Sequence, residues 1–248
     1  MSGIDLKPGW RALPRGIAGF TLLLTAVLLV VRAAAMLGPA PWRPLFLLMC
    51  LSMIALPWLL LSPHGRFQIG LKRPAGLRWL LIGPLAGAAA AALCFGLGML
   101  LYGSGPQHWF VSVAHSYGGH PVAGMSLLQL HLMFTIAACL FSPIGEEIFF
   151  RGFLQRVFEQ RLTHSQATHL QAWLFGVAHL CHHGIVATSA GLVLMPLSAA
   201  LWVLLMFALS WLFAWLRRRA DSLYPAMLGH AAFNAAMNSF IFGWLWPQ

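Results

Sequence analysis

Acidic residues are almost missing from this chain. Of 248 residues only 5 are Asp or Glu (Asp5, Glu146, Glu147, Glu159 and Asp221), and nothing acidic occurs from residue 6 to residue 145. Charged residues of both signs make up 8% of the sequence, where a soluble domain spends about a quarter. With 60% apolar residues and a mean hydropathy of +0.78, there are too few ionic groups to cover a soluble surface and too many apolar ones to hide. Paired cysteine spacings are also lacking. Cys50, Cys94, Cys139 and Cys181 each sit inside an apolar run, which excludes a zinc ribbon and a secreted disulfide framework and leaves them as small apolar side chains.

What is present is a ladder of long apolar runs, at 16–36, 44–61, 79–102, 126–150, 166–181, 196–216 and 223–246. About 20 apolar residues in a helix cross a bilayer core, and in lipid only a helix or a closed barrel satisfies its own backbone. The fold class expected is therefore all-α, a polytopic transmembrane helix bundle of seven spans. The segment 184–195 gives an eighth if it is a short helix, and a re-entrant piece otherwise. The segment 103–125, with His115, Gly118, Gly119 and His120, reads as an outside loop or interfacial segment. Small residues at 33–35 resemble a signal cleavage site, but Arg32 interrupts it and the many later spans make a retained first helix the simpler reading.

The net charge of +10 is accounted for by topology. With a cytoplasmic N-terminus, the inside segments hold Lys7, Arg11 and Arg15; Arg66, Lys72, Arg73 and Arg78; Arg156 and Arg161; and Arg217, Arg218 and Arg219. Outside there is little beyond Arg43, with Arg32 near the end of the first span. This is a strong positive-inside asymmetry, and it removes the need for a nucleic-acid partner. One membrane domain spanning 1–248 is expected, with N-terminal spans over 1–125 that carry no recognised motif and a motif-bearing core over 126–245.

Ionisable groups inside spans cost about 2.5–3.5 kcal/mol each on insertion scales, so they are functional candidates. Glu147 and Arg151 stand four apart, on one helix face, as an ion pair. Glu146 points about 100° away and has no cation at helical spacing, which suits a general base; both glutamates would otherwise mark an interfacial helix end. His179 lies within an apolar run, where packing is the bland alternative. His182 and His183, at the Gly184 break, read as a solvated helix end. His230, Asn234 and Asn238 form one helix stripe, which alone would read as interhelical hydrogen-bond glue. There is no His-Glu-x-x-His, so a zinc site would have to be assembled across helices from Glu146 or Glu147, His179 and His230.

Taken in order, Glu146-Glu147-x-x-x-Arg151, Phe175-x-x-x-His179 and His230-x-x-x-Asn234 resemble the CPBP family. It includes type II CAAX prenyl endopeptidases and bacteriocin-processing and immunity-associated membrane proteins of bacteria. The resemblance covers residues 126–245. It implies an intramembrane glutamic protease with no cofactor, in which Glu146 activates water, His179 orients or shares the proton, and His230 with Asn234 stabilises the oxyanion. Glu147 and Arg151 then form a supporting pair. The implied substrate is a peptide or membrane-anchored protein, and the implied location is a bacterial cytoplasmic membrane. Two alternatives stand beside this reading: a zinc-dependent membrane protease, and a non-enzymatic scaffold or immunity protein that retains the motif. Depth is a difficulty. On the ladder Glu146 and His230 lie towards the cytoplasmic side and His179 beyond mid-span, unless the fourth helix continues past Arg151 or the fifth is tilted.

Overall fold

The computed structural model describes residues 3–13, 16–118, 124–188 and 191–246; Arg15, Gly119 and His120 lie outside the described residues. The chain is mostly helical. Its helices are α1 (Ile17–Leu37), α2 (Pro44–Leu60), α3 (Pro63–Gln68), α4 (Trp79–Tyr102), α5 (Trp109–Gly118), α6 (Leu127–Glu146), α7 (Gln155–Phe158), α8 (His164–Ala178), α9 (Pro196–Ala220) and α10 (Tyr224–Phe240). Among the described residues five stretches, Ile17–Leu37, Ala40–Leu60, Trp79–Tyr102, Leu127–Phe158 and Pro196–Ala220, are long and apolar enough to cross a membrane. By contrast α8 has 15 residues and α10 has 17, the latter continued by a π-helical stretch, Ile241–Leu245.

Between α6 and α7 the backbone widens into a π-helix over Glu147–Leu154. Pro143 lies within α6 just before it and cannot donate the i→i−4 hydrogen bond, which loosens the preceding turn. The helix does not end at the glutamates; it runs on through the π segment to Phe158. That continuation, the first of the two routes open from sequence, sets Glu146 and Glu147 well inside the bundle. Each is fully buried.

The segment 184–195 is not an eighth helix but an antiparallel hairpin, β1 (Ile185–Thr188) paired with β2 (Gly191–Leu194). Gly184 and Gly191 take φ of 108° and 117°, conformations that favour glycine, and the flanking β-branched Ile185, Val186, Thr188 and Val193 suit strands. The segment 103–125, expected as an outside loop or interfacial segment, holds a helix. Within it α5 is packed into the bundle: Trp109 stacks on Trp202 at 6.0 Å and donates from its indole nitrogen to the Cys94 carbonyl at 3.1 Å.

α4 and α10 run in parallel at very close range. A methyl group on Gly87 would overlap the carbonyl oxygen of Gly229, and further along Phe95 stacks on Phe240 at 4.3 Å. Small residues permit this approach where lipid supplies no hydrophobic drive between helices. Gly87→Ala is therefore expected to force the helices apart and to lower stability by about 1–3 kcal/mol, the range for an overpacked contact. A thermal unfolding midpoint in detergent unchanged from wild type would refute that reading of the contact.

Candidate active site

Four elements bring the polar residues together. α6 supplies Ser142 and Glu146, the π segment Glu147 and Arg151, the end of α8 His179, and α10 His230 and Asn234. The fifth contribution comes from α1. Arg32, only 3% exposed, donates from Nη1 to Glu146 Oε1 at 3.0 Å. The expectation that Glu146 lacks a cation is thus corrected: it has none on its own helix, but tertiary packing brings one from 114 residues away. Ser142 Oγ donates to the same oxygen at 3.1 Å, whereas Oε2 has no hydrogen-bond partner among the described residues.

The Arg32 guanidinium also bridges two imidazoles. Its Nη2 donates to His179 Nε2 at 3.2 Å and to His182 Nε2 at 2.9 Å, with Nε at 3.1 Å from the latter. His179 Nδ1 lies 2.7 Å from the Phe175 carbonyl. A carbonyl only accepts, so Nδ1 carries the proton and Nε2 presents its lone pair. His182 and His183 do not form a solvated end. His182 joins this cluster, and His183 is fully buried with Nδ1 2.7 Å from Ser112 Oγ.

A second polar group adjoins the first. Glu147 Oε1 lies 2.8 Å from His230 Nδ1 and its Oε2 lies 3.3 Å from Arg151 Nε. The helical pair read from spacing is present, but it is part of a triad. The Arg151 guanidinium also lies over the Phe175 ring at 3.9 Å, a cation–π contact that is strengthened when desolvated. Phe175 packs against His179 at 4.4 Å and His230 at 6.1 Å, and Phe213 stacks on His230 at 5.2 Å, so aromatic faces fix both imidazoles. Asn234 Nδ2 donates to the Ala138 carbonyl at 2.9 Å. Asn238, the third member of the stripe, binds Thr135 and Tyr117 and serves the interhelical role.

His179, His230 and Asn234, together with Arg32 and Ser142, line one cavity of about 410 Å³, within the range of ligand-sized pockets. His179 and His230 thus stand at one level, and Glu146, which does not itself line the cavity, is joined to it through Arg32 and Ser142. Among the described residues no three of His, Cys, Asp and Glu group as a metal site. The centre between Glu146, His179 and His182 is held instead by a guanidinium, a fixed positive charge that is a poor neighbour for a divalent cation.

Arg32, Ser142 and His182 are the site members that sequence reading missed. Arg32 had a signal, since it is an ionisable residue inside an apolar run, but it was read as a topology charge. Ser142 lies one turn before Glu146, at hydrogen-bonding spacing. His182 offered no signal beyond its proximity to His179.

Buried carboxylates, imidazoles and an amide donor thus gather around one chamber of a multi-pass helical bundle. Residues 128–236 match the family described as Rce1-like, type II CAAX prenyl endopeptidase Rce1-like, so this segment is similar to that family of membrane proteases, which supports the resemblance to the CPBP family. The matched segment runs from α6 into α10 and leaves Arg32 outside it. No curated protein and no solved structure matches the chain.

Proposed function

We propose that the protein is an intramembrane endopeptidase that hydrolyses a peptide bond of a membrane-associated protein or peptide, using glutamate-activated water and no metal. The observation that carries this reading is the convergence of His179, His230 and Asn234 on one cavity with Arg32 and Ser142, the two residues that hold Glu146. Glu146 Oε2, free of protein partners among the described residues, takes the proton of the attacking water. The resulting hydroxide adds to the carbonyl carbon, and Glu146 returns the proton to the departing amine as the C–N bond breaks. His179 accepts from Arg32 at Nε2 and so orders the guanidinium that holds Glu146 beside the water. Arg32 holds Glu146 in place through Oε1.

The oxyanion is received by His230 and Asn234. Because His230 Nδ1 is engaged by the Glu147 carboxylate, donation from Nε2 requires a doubly protonated ring. Glu147 balances that charge, and Arg151 in turn holds Glu147. The triad therefore gives the Glu147–Arg151 pair a task beyond helix packing. Asn234 spends one amide hydrogen on Ala138 and keeps the other for the oxyanion. Orientation follows the charge distribution, with the N-terminus in the cytoplasm.

The direct test is cleavage of candidate peptides by purified protein in detergent or vesicles. Wild-type cleavage is expected to survive strong chelators and to be lost in His179→Ala; inhibition by chelator, reversed by zinc, would replace the glutamate reading with the metal one.

A further inference from the structure

The cavity, lined by Arg32 and Arg43, lies towards one end of the bundle, and most of the remaining cations lie at the other. At the basic end, Lys72 pairs with Asp221 at 2.6 Å, the backbone of Ala75 bonds to Ala220 at 2.8 Å beside Arg217, Arg218 and Arg219, and Lys7 bonds to the end of α2 at Leu60. Arg66 and Arg73 belong to the same end, where α3 leads towards α4. The cavity instead extends from His230 towards the α1–α2 connection, where Arg43 and Leu47 line it, and to the end of α5, where Ser116 does. Leu47 is 40% exposed and Ser116 is exposed, so the mouth is here. Behind the cavity wall, Phe213 stacks on His230 and Phe150 packs against Phe175, and these phenylalanines are each at most 2% exposed. An interior packed at crystal-like density leaves no passage for a peptide on that side.

Lys and Arg mark the cytoplasmic side of a multi-pass protein. Resting on the peptidase reading above, we infer that the active site opens to the non-cytoplasmic face, and that its substrate is an exported peptide segment or the outer end of a membrane anchor. The cavity walls fit an extended segment with apolar side chains: Phe46, Phe134, Phe141 and Trp202 surround it, and polar atoms are confined to the catalytic end and the mouth. A lipid-modified tail presented from the cytoplasm would meet the sealed basic end. The family description names prenyl endopeptidases, and for this chain the charge distribution and the cavity together point to a different substrate face.

The test is labelling of the full chain in sealed bacterial spheroplasts with a membrane-impermeant maleimide, using Ser116→Cys and the exposed neighbouring His115→Cys at the mouth, Arg73→Cys at the basic end, and wild type as background for the native thiols. Both mouth variants are expected to label in sealed spheroplasts, and Arg73→Cys only after permeabilisation. The reverse pattern overturns the inference, whatever the activity. A parallel assay separates the two readings. Peptides added outside should be cleaved by wild type and spared by Glu146→Gln; the expected labelling with no cleavage of exported segments in any assay overturns the peptidase reading and leaves the facing of the cavity standing.

Discussion

Glu146→Gln is expected to lower peptide cleavage by about 10²–10⁴-fold, the contribution of a positioned general base, with most of the loss in kcat. Gln keeps the size of the side chain and an oxygen that can accept from Arg32 and Ser142, the two donors on Glu146 Oε1. It cannot take a proton from water at the other position. The substitution removes the base and keeps the hydrogen-bond geometry, but it leaves Arg32 without its counter-charge, so cleavage is compared per folded protein. Steady-state cleavage measured alongside unfolding in detergent checks both halves. Retained cleavage would show that Glu146 is a structural acid, and the same polar cluster would then be a packing network of the kind the scaffold alternative requires.

The parts of this site that were legible from sequence are those set by local spacing. Glu147 and Arg151 are one turn apart, so their pairing follows from helical geometry and is present at 3.3 Å. His230, Asn234 and Asn238 share a face for the same reason. The partners that decide the chemistry were not legible, because they come from tertiary packing. Arg32 approaches Glu146 across 114 residues, and nothing in the periodicity of α1 says which helix its one buried cation will face. His230 reaches Glu147 across 83 residues, which turns an ion pair into a triad. The hairpin Ile185–Thr188 with Gly191–Leu194 was missed for a different reason: its strands are short and continuously apolar, and at that length helix and strand patterns are alike. The continuation of α6 through the π segment depends on a local widening of the ladder that no residue pattern announces beyond Pro143.

Arg32→Met is expected to reduce stability by about 3–5 kcal/mol, because removing one member of a buried pair strands the other charge. Glu146 is fully buried and Arg32 nearly so, and Arg32 also supplies the donors to His179 and His182. Methionine fills much of the volume of the arginine stem, so the loss should be electrostatic rather than a packing defect. Combining Arg32→Met with Glu146→Gln should recover most of the stability, since replacing a buried ion pair by neutral groups of similar shape is often close to neutral. Arg32→Lys should fall between, keeping the charge but giving up the planar fork that reaches a carboxylate and two imidazoles together. Thermal unfolding of wild type, Arg32→Met, Glu146→Gln and the double variant in one detergent reads the coupling directly. Additive losses in the double variant would mean that Arg32 acts on the histidines alone, and the restraint of Glu146 would have to come from Ser142. A strongly positive coupling would instead place the N-terminal helix, which lies outside the family match, within the machinery that sets the state of the base.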